Sequence, residues 1–166
     1  MSIPWPAIAE SLRAELAEYG ELLRLFEAQQ QSLFHRQPDE VLRYANEIEA
    51  QAGRLSEFRE KREKIVSDFA ADHGRPVSSS LRSMLGLIEA DARPLLEALI
   101  NEVNALLHRV RRTSRHNHTL LSRTVDLHQQ TLELLRPSSF VKTYSPGGRV
   151  SVASATPAMS TLRATG

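Results

Sequence analysis

The sequence predicts an all-α protein: an antiparallel coiled coil or open helical bundle with one long C-terminal helix and a disordered tail. First, apolar residues recur mainly at three- and four-residue steps within three segments, 8–33, 42–69 and 99–134. Second, strand-like alternation is scarce before Val141. Third, charged residues make up 25% and aromatic residues 5% of the chain, which is typical of helical proteins. We expect two domains, a helical bundle over 1–137 and a flexible tail over 138–166.

The first helix is predicted to begin at Pro6, because proline is favoured at the first helical position, and to run to about His35. Trp5 is expected to hold the start of the helix against its apolar face. Gly20 lowers helix stability by roughly 1 kcal/mol relative to alanine, so a close packing neighbour is expected there. The apolar face comprises Ile8, Leu12, Leu16, Tyr19, Leu23, Phe26 and Leu33.

A second helix is predicted to begin at Pro38, with two carboxylates in its first turn, and to end at the segment 73–76, which contains Gly74 and Pro76. Its charges over 57–64 alternate in sign at spacings of one helical turn, which predicts a solvated face.

The serines at 78–80 can cap a third segment. Pro94 then leaves two alternatives: a short helix that ends near Ala92, or one continuous helix that kinks at Pro94.

The last helix is predicted over 94–136, about 64 Å at 1.5 Å per residue. Polar residues such as Thr113, Asn117 and Thr124 interrupt its apolar seam. They either form an internal layer that fixes helix register or tolerate an exchangeable partner. A second apolar stripe widens the face beyond what one neighbouring helix covers, which favours a partner helix. The two stripes contain Leu99, Val103, Leu106, Val110, Leu120, Leu127 and Leu134, and Leu107, Leu121, Val125, Leu132 and Leu135.

Charge is divided unevenly along the chain. Residues 1–107 hold 12 Lys/Arg and 18 Asp/Glu, a net charge of −6, whereas residues 108–166 hold 9 and 2, a net charge of +7. The two parts can attract one another, or the basic part can bind an acidic partner. The arginine-rich segment 109–115 makes nucleic-acid binding a candidate, but it lacks the interleaved aromatic residues that stack on bases, so we expect no nucleic-acid partner.

Several other classes of function are disfavoured. The chain has no cysteine, no Glu-x-x-His and no His-x-x-x-His pair, so we expect no metal and no cofactor. It has no Gly-x-Ser-x-Gly turn, and we expect neither an enzyme nor a small-molecule substrate. The segment that follows Met1 lacks the pattern of a signal peptide, and no apolar run approaches the length of a membrane span. These observations favour a cytoplasmic protein without membrane insertion.

Two short segments and the order of the helices carry a resemblance to a known family. An asparagine followed by paired leucines occurs within 115–121, and a tyrosine-to-glycine segment occurs over 144–148. With a second helix dense in Glu, Lys and Arg and a long last helix, the sequence resembles the FlgN family of flagellar type III export chaperones.

The resemblance implies a chaperone that holds the hook-filament junction proteins FlgK and FlgL, prevents their premature assembly and delivers them to the export gate FlhA. Carried onto this chain, it implies that Tyr144 contacts the export gate. The implied client surface comprises Asn117, Leu120, Leu121, Leu127, Leu132 and Leu135, onto which Phe140, Val141 and Tyr144 fold when the partner arrives. The alternative is a homo-oligomeric coiled-coil scaffold, in which copies of the chain cover one another's apolar stripe.

Overall fold

The computed structural model describes residues 5–135 together with the backbone of residues 140–144 and 150–154. Within these residues, three long helices carry the fold: α1 (Trp5–Phe34), α2 (Pro38–Asp72) and α4 (Arg93–Leu135). Between α2 and α4 lie the short helix α3 (Leu81–Met84) and a 3₁₀ turn, Leu85–Leu87. The prediction of an all-α helical bundle is confirmed.

The helix boundaries follow from local sequence chemistry. Pro38 occupies the first turn of α2 together with Asp39 and Glu40, whose carboxylates face the positive end of the helix dipole. Beyond α2, Gly74 adopts a left-handed conformation with φ of 64°, which glycine permits without steric cost.

The chain between α2 and α4 settles the alternative at Pro94. The Ser80 side chain caps α3 by accepting a hydrogen bond from the Ser83 amide at 3.2 Å. The backbone at Ile88 is extended, with φ of −94° and ψ of 152°, so α3 and its 3₁₀ turn end before α4 begins at Arg93. Pro94 therefore lies in the first turn of α4 and does not kink a longer helix. Proline has no backbone N–H, and first-turn N–H groups have no acceptor within the helix, so no hydrogen bond is lost there.

Contacts between the helices define their directions. Gln29 donates to the Val41 carbonyl oxygen at 3.4 Å near the α1–α2 turn, and Arg62 bonds to Glu15 farther away, so α1 and α2 run antiparallel. The Asn117 side chain donates to the Phe26 carbonyl oxygen, and Trp5 donates to Glu89 just before α4, so α4 runs in the same direction as α1. The core between these helices includes Ile8, Leu12, Leu22, Leu55, Phe69, Met84, Leu96, Val103 and Val110.

A buried ion pair interrupts this core. Glu15 lies at an apolar position of α1 with 1% of its surface exposed, and the Arg62 guanidinium reaches its carboxylate from α2. Burial, together with the nearby Glu15 charge, raises the pKa of Tyr19, and the arginines around it only partly oppose this. The segment 57–64, predicted to be a solvated face, therefore includes one arginine, Arg62, whose partner is a buried carboxylate.

The prediction that a neighbouring residue packs closely against Gly20 is wrong. A β-carbon built at this position would meet no atom within 4 Å, and the residue is exposed on α1.

The predicted tail requires a correction at two segments. Strands β1 (Phe140–Tyr144) and β2 (Val150–Ser154) pair as an antiparallel hairpin, with Phe140 opposite Ser154 and Tyr144 opposite Val150. Aromatic and β-branched residues in β1, followed by a Pro-Gly-Gly segment, favour such pairing over disorder. The rest of the predicted tail lies outside the described residues.

The chain divides by packing into two compact units, 1–121 and 122–166. The first unit contains the helical core, and the second contains the last 14 residues of α4 and the hairpin. The expected domain boundary after residue 137 stays a prediction.

Candidate partner-binding surface on α4

Burial along α4 ends abruptly while its apolar pattern continues. Val103, Val110 and Asn117 are buried at seven-residue steps, which return to the same face of a helix. Leu120 is half-buried, and every residue from Leu121 to Leu135 is exposed. The helix therefore keeps its apolar spacing beyond the point where its side chains are covered.

The exposed apolar residues of this pattern lie on one side of α4, which we call the apolar face and which also includes Thr124, His128 and Thr131. At 3.6 residues per turn, its side chains fall within about half of the helix circumference, and the other half is polar. Leu127 is 64% exposed and Leu134 is 87% exposed. Leucine side chains stay this exposed at a cost, because covering each one is worth about 2 kcal/mol. The apolar residues of this face are Leu121, Val125, Leu127, Leu132, Leu134 and Leu135.

Asn117 marks the last buried turn. Its Nδ2 donates to the Phe26 carbonyl oxygen at 2.8 Å and to Gln29 Oε1 at 3.2 Å, and its Oδ1 has no hydrogen-bond partner among the described residues. One turn away on α1, Gln30 Nε2 lies 2.9 Å from His116 Nδ1. Side-chain hydrogen bonds therefore contribute to the contact between α1 and α4 at this end. Asn117 is the internal one of the two, as one of the two interpretations of the seam expects, whereas the contact of Gln30 with His116 lies at the surface.

The structure separates the predicted client-binding residues into three groups. Asn117 is inside the bundle with 3% of its surface exposed, and Leu120 lies at the edge of the buried stretch. The exposed group, which α4 brings together on the apolar face, is Leu121, Leu127, Leu132 and Leu135. Phe140, Val141 and Tyr144 lie on β1, of which the structure describes the backbone.

Two residues of the apolar face were missing from the predicted surface. Val125 is 46% exposed, and Leu134 is the most exposed residue of the face. Both belong to the apolar stripes recognised in the sequence, and Leu134 is one heptad after Leu127. The repeat itself was therefore the signal that could have identified them.

The described residues offer little for other chemistry. No group of three or more His, Cys, Asp or Glu side chains able to hold a metal ion occurs among them. None of the described helices is both long and apolar enough to cross a membrane. The prominent feature of this part of the chain is therefore the apolar face of α4.

Comparison with known proteins gives one match. The family model described as FlgN protein matches residues 6–151. This range includes β1 and the helices α1 to α4, apart from the first residue of α1, Trp5. Comparisons with curated proteins and with solved structures gave no match. Since the family model covers most of the sequence, the chain belongs to the FlgN family, a family of flagellar export chaperones.

Proposed function

We propose that this protein is a cytoplasmic type III export chaperone that binds FlgK and FlgL through the apolar face of α4. It keeps these hook-filament junction proteins from assembling early and brings them to the export gate FlhA. The observation that carries this proposal is the apolar pattern from Leu121 to Leu135, which continues the buried stripe of α4 without being covered.

The shape of the apolar face favours a helical partner. Its side chains follow the same repeat that α4 uses farther upstream against the helices of its own core, so a partner helix can pack there by the same geometry. The six side chains are partly exposed, so covering them contributes about 1–2 kcal/mol each, which together is of the same order as the roughly 4–15 kcal/mol that association costs. This balance favours reversible binding of a partner segment.

The hairpin supplies the second part of the proposal. Phe140, Val141 and Tyr144 add to the client surface when the partner arrives, and Tyr144 contacts the export gate. An isolated two-stranded hairpin is only marginally stable in water, so packing against a partner is a means to stabilise it. Tyr144 suits a contact with another protein because its ring is apolar and its hydroxyl is polar.

The client-binding test replaces two leucines of the apolar face. We expect Leu127→Asp with Leu132→Asp to weaken binding of purified FlgK and FlgL by roughly a hundredfold or more, because two leucine contacts are lost at about 1.4 kcal/mol per factor of ten. Isothermal titration calorimetry with the full chain measures this. Both leucines are exposed, so the thermal midpoint of the free variant should stay close to that of the original protein.

The matched control is Gln129→Asp with Gln130→Asp, which adds the same two charges to the polar side of the same turns. This control should bind clients with nearly unchanged affinity. Equal weakening by the two pairs, or no weakening by the leucine pair, would remove the apolar face as the client site.

A homo-oligomeric scaffold is the second candidate function. The same exposed leucines support it, since copies of the chain can cover one another's apolar face. The two functions differ in the oligomeric state of the free protein.

A further inference from the structure

A second surface of α4 carries an unusual accumulation of positive charge. Arg111, Arg112 and Arg115 are exposed. Arg112 and Arg115 lie on the side of α4 turned away from buried Val110 and Asn117, and Arg111 lies at the edge of that side, where its charge also acts on Tyr19 of α1. His108 is exposed one turn earlier on the same side. We refer to these four residues as the basic face.

The arginines of the basic face have no acidic partners within the described residues. Ion pairs there involve Arg13, Arg24, Arg43, Arg54, Arg59, Arg62, Arg82 and Arg109, but none of the three arginines of the basic face. Between Glu102 and Asp126 the sequence of α4 contains no acidic residue at all. Along this part of α4, therefore, no acidic residue of the same helix balances the arginines, and Arg109 alone among them forms an ion pair within the described residues, with Glu27 of α1.

The exposed charges of α2 are arranged differently from those of the basic face. Over 57–64 the acidic and basic residues alternate, and Arg59 pairs with Glu63 at 3.7 Å one turn away. On α4, by comparison, Arg111 and Arg115 are like charges four residues apart, a spacing that destabilises a helix by a few tenths of a kcal/mol. A surface needed only for solubility gains nothing from this repulsion.

We propose that the basic face binds an acidic segment of a second protein while the apolar face holds the client. Arginine pairs with carboxylates through two parallel hydrogen bonds, and spacings of three and four residues match glutamates at the same spacings on a partner helix. A precedent exists within the chain: Arg109, next to the basic face, reaches Glu27 of α1 at 3.6 Å.

Two other classes of partner fit the basic face less well. Helix α4 contains no Phe, Tyr or Trp that could stack on the bases of a single-stranded nucleic acid. The basic face also lacks the apolar residues with which a basic amphipathic helix enters a membrane surface. Charge and geometry therefore favour carboxylates displayed on a protein.

The binding test uses a labelled helical peptide with glutamates three and four residues apart along one face. Binding to the full chain is measured by fluorescence anisotropy, beside single-stranded RNA and vesicles of phosphatidylglycerol. We expect the peptide to bind most tightly. The triple variant Arg111→Glu, Arg112→Glu, Arg115→Glu should weaken peptide binding by roughly tenfold or more, because three attractive contacts become repulsive.

The control variant Lys61→Glu, Lys64→Glu, Arg75→Glu makes the same change in net charge at exposed positions outside α4. It should change peptide affinity by no more than about twofold at a salt concentration that screens distant charges. Equal weakening by the two variants, or tighter binding of RNA or vesicles than of the peptide, would overturn the proposal. Circular dichroism melting of both variants checks the fold.

A second measurement separates this proposal from client binding. The arginine variant should bind FlgK and FlgL as the original chain does, and Leu127→Asp with Leu132→Asp should still bind the acidic peptide. Failure of client binding by the original chain would contradict the proposed function alone. Loss of client binding only in the arginine variant would contradict the independence of the two faces.

Discussion

At the scale of single residues, the buried pair of Glu15 and Arg62 is the most demanding feature of the core. A carboxylate with 1% exposure is stable there only because a guanidinium reaches it, and Arg62 itself remains partly exposed. The pair fixes how α1 and α2 lie side by side, since a shift of either helix by one turn would leave Glu15 charged and unpaired.

Removing either partner should therefore have unequal effects. We expect Arg62→Leu to lower the free energy of unfolding by about 3 kcal/mol, because Glu15 stays buried without its cation. Glu15→Leu should cost less, since the remaining arginine is partly solvated. Urea denaturation of the single variants and of the double variant measures these differences. A double variant less stable than Arg62→Leu would contradict this explanation.

At the scale of elements, α1 and α2 contain glycines that no contact requires. A β-carbon at Gly20 or at Gly53 would meet no atom within 4 Å, and both residues are exposed in the middle of long helices. Glycine destabilises a helix interior because it loses more conformational freedom on folding than alanine does.

Alanine at these positions should stabilise the protein. We expect Gly20→Ala and Gly53→Ala each to raise the free energy of unfolding by about 0.5–1 kcal/mol, additively, since neither added methyl group would contact a neighbouring residue. Thermal denaturation followed by circular dichroism measures the gain. Gly74→Ala is the contrasting control and should destabilise the chain, because the backbone at Gly74 is left-handed with φ of 64°. A loss of stability in Gly20→Ala would indicate a packing contact that the bundle does not show.

At the scale of the whole molecule, the exposed apolar face decides between a chaperone and a scaffold. If the chain is a chaperone, we expect the free protein to be a monomer at micromolar concentration. With a client, it should form a complex of defined stoichiometry, because helices of the client cover the apolar face. Size-exclusion chromatography with light scattering measures both states. A stable tetramer of the free chain that loses its assembly in Leu127→Asp with Leu132→Asp would instead support the scaffold.

Much of the fold was predictable because proline and serine mark the helix ends. The first-turn position of Pro38, the cap from Ser80 and the long periodic α4 follow directly from residue chemistry. The sequence left open whether Asn117 is buried or faces a partner, since a seam position does not reveal where the neighbouring helix ends. The pairing of Glu15 with Arg62 was also hidden, because Arg62 lies within a run of charges typical of a solvated surface.

The contact that Trp5 makes with Glu89 offers an optical reporter. Trp5 is the single tryptophan of the chain, and its indole nitrogen donates to the carboxylate at 3.2 Å while the ring packs against the core. Excitation of this indole therefore gives a fluorescence signal from one site, free of background from other tryptophans. A red shift of its emission during denaturation would indicate that Trp5, at the beginning of α1, has lost its contact with Glu89 and become exposed to water.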